Sequence, residues 1–116
     1  MTNPVHPIIA QHIAMMNAFD TNGMVATFAD DAFVSNQQHE YWGLDAIRQW
    51  VKKERVGDQV TAEVREVVEH DGMTIVRAAY DGTFDKSALP PGDFILTNYF
   101  TVRDGKITSL ICDYIA

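Results

Sequence analysis

The chain has 116 residues, enough for one domain over 1–116 and too few to build a second core. Nine Lys and Arg stand against 16 Asp and Glu, a net charge of -7, which argues against a nucleic-acid partner and disfavours an anionic membrane surface. Hydrophobic residues at 47% and charged residues at 22% match a folded globular chain rather than a disordered one.

Val5, Ile8, Ile9, Ile13 and Met16 recur at helical spacing and predict a first helix. Pro4 and Pro7 are tolerated near its start, where the first N–H groups have no helical partner. The run Asp20-Thr21-Asn22-Gly23 supplies turn and N-cap chemistry. A short second helix is expected from Gly23 to Ala29, ended by Asp30-Asp31, with a short strand at Ala32 to Ser35. Gly43 precedes a third helix from Leu44 to about Arg55, with Leu44, Ile47, Trp50 and Val51 on one stripe.

From Val60 the period changes from helical to alternating. Strands are expected at Val60–Glu69 and Met73–Phe84 around the turn His70-Asp71-Gly72, then at Phe94–Val102 and Ile107–Ile115 around Arg103-Asp104-Gly105-Lys106. The segment Asp85–Gly92 contains Pro90-Pro91 and cannot be sheet interior. It is expected to form a structured rim, a lid or an interface contact. Three helices followed by a four-stranded antiparallel meander make an α+β fold, whose curved sheet leaves a pocket at its open end. Both faces of the Phe94–Val102 strand are part apolar, so a partner copy is expected on the outer face, as a homodimer.

The single Cys112 has no internal disulfide partner, and the four histidines do not converge at metal-ligand spacing, so no metal is expected. No apolar run reaches a membrane span, and the N-terminus lacks the layout of a signal peptide, so a cytoplasmic location is expected.

The run Thr27-Phe28-Ala29-Asp30-Asp31-Ala32-Phe33-Val34, then Gly43-x-x-Ala46-Ile47, then Val102-Arg103-Asp104-Gly105-Lys106-Ile107 resembles the nuclear-transport-factor-2-like superfamily, in its SnoaL-like and ketosteroid-isomerase-like branch. The resemblance covers essentially the whole chain. It implies a cone-shaped barrel of curved antiparallel sheet packed with three N-terminal helices. It is much less specific for function, because the superfamily holds isomerases, dehydratases, cyclases, epoxide hydrolases and silent binders.

Ketosteroid isomerases use an Asp base after the first strand and an oxyanion hole of a helix-1 Tyr and a protonated Asp. The resemblance puts His12 at the Tyr position, Asn36 at the base position and Asn98 at the protonated-Asp position. Asn36 accepts no proton, so a standard isomerase is disfavoured, while Asn98 still donates hydrogen bonds to an oxygen. His12 is a candidate acid, base or donor. SnoaL-like cyclases carry an inward Asp late in the last strand, a position that falls on Cys112 here. Leu110, Cys112 and Tyr114 then face inward and Asp113 outward, unless a bulge flips the parity. The Arg and paired Asp of epoxide-hydrolase-like relatives find Arg77 and Asp81 only on the face opposite Val76, Ala78 and Tyr80.

The expected function is binding of a small hydrophobic molecule in the cone, with cofactor-independent isomerase, lyase or cyclase chemistry on a carbonyl compound. His12, Asn36 and Asn98 would be its polar trio, and Met16, Val34, Trp50, Val76, Tyr80, Phe100, Cys112 and Tyr114 its walls. Plainer readings stand beside these. His12 also suits a helix-boundary histidine, the two amides could satisfy each other, the aromatics and methionines are first of all core, and His39 suits a solvated loop. The alternative function is a non-catalytic ligand-binding or association domain.

Overall fold

The computed structural model describes residues 5–89 and 91–114. The expectations that touch Pro4, Pro90 and Ile115 lie outside them. Helix α1 spans Pro7–Asn17 and buries Ile9, His12 and Met16, one face over three turns. Pro7 occupies its first turn, and the His6 ring accepts from the Ile8 N–H at 3.3 Å. Helix α2, Thr21–Val25, is capped by Asp20, whose Oδ1 accepts from the Gly23 N–H at 2.8 Å.

Strand β1 runs from Phe28 to Asn36, longer than the expected Ala32–Ser35 and starting where the second helix was expected to continue. Asp30 and Asp31 lie within it, both exposed, because the register against its neighbour shifts between Phe28 and Phe33. Two adjacent outward carboxylates break the two-residue alternation, which is why this half of the strand reads as a helix end. Strand β2, His39–Trp42, has no counterpart in the sequence expectation; His39 sits at its start rather than in a loop. Its hairpin turns on Gln37 and Gln38, both at positive φ (52° and 72°), without the Gly or Asn that normally marks such a turn.

Helix α3 covers Gly43–Trp50 and widens into a π-helical turn at Val51–Val56, closed by a 2.8 Å bond from the Gly57 N–H to the Lys52 carbonyl. The meander follows as β3 (Thr61–His70), β4 (Met73–Asp81), β5 (Phe94–Arg103) and β6 (Lys106–Asp113). Its two tight hairpins use Gly72 and Gly105 at φ 80° and 75° behind Asp71 and Asp104, also at positive φ.

The sheet is six-stranded in the order β2-β1-β6-β5-β4-β3. It is mixed rather than wholly antiparallel, because β1 returns parallel to β6. It curves around the helices without closing, giving the cone expected from the resemblance. The parallel pairing brings the C-terminal ends of β1, β6 and β4 and the start of β5 to one end of the cone. No helix among the described residues is long and apolar enough to cross a membrane.

A candidate site at the mouth of the cone

Register alone sets a row of side chains across the inner face. Asn36 pairs with Cys112, Cys112 with Asn98, and Asn98 with Val76, on the adjacent strands β1, β6, β5 and β4. Strands stand about 4.8 Å apart, so Cys112 separates the two amides and they do not satisfy each other. Asn98, buried, donates from Nδ2 to the Val76 carbonyl at 3.2 Å and accepts at Oδ1 from the Tyr80 hydroxyl at 3.2 Å. Asn36 Oδ1 instead accepts from Nη2 of Arg55 at 3.3 Å.

Arg55 is the residue the sequence reading passed over. It stands four residues after Val51, on the continuation of the Ile47, Trp50 and Val51 stripe, and that spacing was the available signal. The π-helical turn carries it inward, to 7% exposure, with its guanidinium 4.6 Å from the Trp50 ring centre and 5.6 Å from that of Tyr80.

Two spaces meet at Arg55 and Tyr80. The deeper one, lined among others by His12, Met16, Val76, Asn98, Phe100 and Cys112, is about 10 Å³, room for about one water molecule. The outer one, about 280 Å³, is the mouth of the cone. Asn36, Arg55 and Tyr80 form its floor, while Phe84, Leu89, Phe94, Leu96 and Tyr114 form apolar walls. Glu54 and Asp58 also line it, and neither was a candidate from the sequence. The loop after β4 forms part of this rim and is tied down where the Thr83 N–H donates to the Asp58 carbonyl at 2.7 Å. Of the expected wall residues, Val34 and Trp50 lie in the packed core behind these spaces. Asp113 is half-buried on the strand position after Cys112 and lines neither space.

His12 is buried, with Nδ1 3.1 Å from Thr27 Oγ1 and its ring edge-on to Phe28 and Phe100. Burial, and then the positive charge of Arg55, lower its pKa from 6.5 to about 3, so the imidazole is neutral at physiological pH. Burial likewise pushes the Tyr80 hydroxyl up to about 12, and raises the Cys112 thiol, leaving both protonated. Cys112 is an inert wall rather than a nucleophile. Among the described residues, no group of three His, Cys, Asp or Glu is placed to hold a metal ion.

An open curved sheet wrapped on helices, with polar groups on its concave face and one mouth, defines the nuclear-transport-factor-2-like class. The model of the SnoaL-like domain matches residues 9–110, and the chain belongs to that family. A putative polyketide cyclase from Sinorhizobium meliloti is 28% identical, with a TM-score of 0.82 over 94% of this chain and 95% of that one. An epoxide hydrolase/cyclase-like enzyme of pyran ring formation in the polyether salinomycin is 21% identical, with a TM-score of 0.80 over 93% of this chain and 88% of that one. A Catenulispora acidiphila protein with a ketosteroid isomerase-like fold, in complex with trimethylamine, is 18% identical, with a TM-score of 0.79 over 96% and 87%. The last two likenesses show the fold alone. No curated protein gives a sequence match.

Proposed function

We propose that this SnoaL-like domain binds a compact, mainly apolar carbonyl compound in the mouth of the cone and acts on it without a cofactor, as an isomerase, lyase or cyclase. The observation that carries this reading is the 280 Å³ mouth itself, with apolar walls, a polar floor of Asn36, Arg55 and Tyr80, and the carboxylates of Glu54 and Asp58 on the same lining. Asn36 turns its oxygen to Arg55, which leaves its amide NH₂ as the donor for a ligand oxygen.

The reacting proton belongs to a carboxylate rather than to His12, whose pKa of about 3 makes it a feeble base and no acid at pH 7. A carboxylate that takes a proton from the carbon beside the carbonyl breaks that C–H bond and leaves an enolate. Where the compound carries a β,γ double bond the enolate is a dienolate, and return of the proton to its γ-carbon, as the double bond moves into conjugation with the carbonyl, completes an isomerisation. A purely binding role is the second reading. It is favoured by Glu54 already accepting from the Tyr41 hydroxyl at 2.8 Å. Nuclear magnetic resonance of small aryl ketones in D₂O separates the two. Exchange at the α-carbon above the buffer rate, lost in Glu54→Gln or Asp58→Asn, supports catalysis. Binding without exchange supports the silent binder, and a panel that neither binds nor exchanges overturns both.

A second copy is proposed on the outer face. Val68, Ile75, Tyr99 and Ile111 lie side by side across four strands, beside the Glu66–Arg77 pair at 3.5 Å. A two-fold axis passing between Glu66 and Arg77 would set each charge of that pair against its opposite in the other copy. Sedimentation of the wild type as a dimer, and of Tyr99→Glu as a folded monomer, is the expected result. A monomeric wild type at tens of micromolar rejects it.

A further inference from the structure

Among the described residues, Arg55 is the only buried side chain that carries a full charge, since His12 is neutral. A buried cation normally has a carboxylate or a full set of short hydrogen bonds, because desolvation is otherwise uncompensated. Arg55 has neither. No ion pair among the described residues involves it. Its contacts are Nη2 to Asn36 Oδ1 at 3.3 Å, Nη2 to Cys112 Sγ at 3.8 Å and Nη1 to the Glu54 carbonyl at 3.4 Å. The two oxygen contacts exceed the usual range for N–H···O bonds, about 2.7–3.2 Å, and a thiol sulfur is a weak acceptor. The guanidinium carbon lies over the Trp50 ring at 4.6 Å and the Tyr80 ring at 5.6 Å from their centres, contacts that leave the N–H donors along the edge of its planar fork without a strong acceptor.

That edge lies at the floor of the mouth. We infer that Arg55 anchors a ligand carboxylate, and that the natural ligand is a monocarboxylate with a compact apolar body. The planar fork matches two carboxylate oxygens at once. Charge count limits the anion to one negative charge, for Arg55 is the only cationic residue among the described residues lining the mouth, and Glu54 and Asp58 on the same lining repel a dianion. The aromatic and aliphatic walls of Phe84, Phe94, Leu96 and Tyr114 take the body. The net charge of -7 does not exclude this, because charges beyond a Debye length of about 8 Å are screened in physiological salt, whereas a desolvated contact is not.

The inference rests on the reading of the mouth as the ligand site, and one set of probes separates their failures. Binding of phenylacetate, its neutral isostere phenylacetamide and the dianion phenylphosphonate is followed by titration calorimetry in carboxylate-free buffer. The expected result is phenylacetate at least tenfold tighter than either of the others. Arg55→Met should remove the preference over the amide, and Arg55→Lys, which keeps charge without the fork, should retain part of it. Equal binding of acid and amide overturns the carboxylate anchor and leaves the mouth as a site. No binding of any probe at millimolar concentration overturns both. Thermal unfolding without ligand gives an independent reading. Arg55→Met should melt a few degrees higher than wild type, because it removes an unpaired buried charge while keeping side-chain volume. A lower melting point in both Arg55→Met and Arg55→Gln would mean that the guanidinium is already satisfied within the fold, and would overturn the inference.

Discussion

Lowering the pH from 7 to 4.5 will cost the wild-type protein about 2–3 kcal/mol more stability than it costs His12→Gln. The pKa of His12 is 6.5 in the unfolded chain and about 3 in the folded one. Between those values the unfolded state binds a proton that the native state refuses, so stability rises with pH through the window. It is fully restored above 6.5 and falls steadily towards 3. The cause is burial among Phe28 and Phe100, reinforced by the fixed charge of Arg55. Gln can keep a hydrogen bond to Thr27 and has no proton to gain. Asp81, held low by Lys86, and Asp85, held low by the Ser87 N–H, are exposed and titrate alike in both proteins, so the difference belongs to His12. Urea unfolding at several pH values measures it. Parallel stability curves for the two proteins would show that the imidazole reaches water.

Trp50→Ala will destabilise the domain by about 3–5 kcal/mol, whereas Trp50→Phe will cost under about 1.5 kcal/mol. Trp50 is 1% exposed and lies against the guanidinium of Arg55 on one side and the Tyr41 ring, 6.0 Å away, on another. Alanine empties that space and withdraws the surface on which Arg55 rests, so ligand binding at the mouth should fall with stability. Phenylalanine keeps an aromatic face. It also removes the indole N–H, the one buried side-chain N or O atom among the described residues without a hydrogen-bond partner. An unpaired buried donor is itself costly, which offsets much of the lost volume. Chemical denaturation of the two variants provides the comparison. A Trp50→Phe protein as unstable as Trp50→Ala would mean that the indole nitrogen is bonded after all.

Much of the architecture was legible because its signals are local. The meander followed from alternation and from Asp-Gly turns, and the helices from stripes such as Ile47, Trp50 and Val51. What misled were places where local chemistry departs from the norm. The register shift around the exposed Asp30 and Asp31 hid half of β1, and the Gln37-Gln38 turn hid β2. The positions of Asn36 and Asn98 on the inner face followed from the resemblance, but their partners did not. Each amide is committed to a residue distant in the chain, Arg55 for one and Tyr80 for the other. The site was harder still, because nothing local separates Arg55 from its neighbours in Lys52-Lys53-Glu54-Arg55 except its place on the apolar stripe.

The sequence by itself determined the class of this protein: one acidic domain, α+β, with a polar trio on an apolar inner surface and the pattern of the SnoaL-like family. The domain count and the α+β order depend on period, composition and turn chemistry, which act over a few residues, whereas the trio came with the family resemblance. Only the tertiary structure decided which polar groups meet. The parallel return of β1 onto β6 sets Asn36 beside Cys112, and the π-helical turn sends a cation rather than a carboxylate into the interior. The pocket floor is therefore positive where the chain as a whole is negative. Net charge counts every residue equally, whereas desolvation gives weight to the few that folding takes out of water.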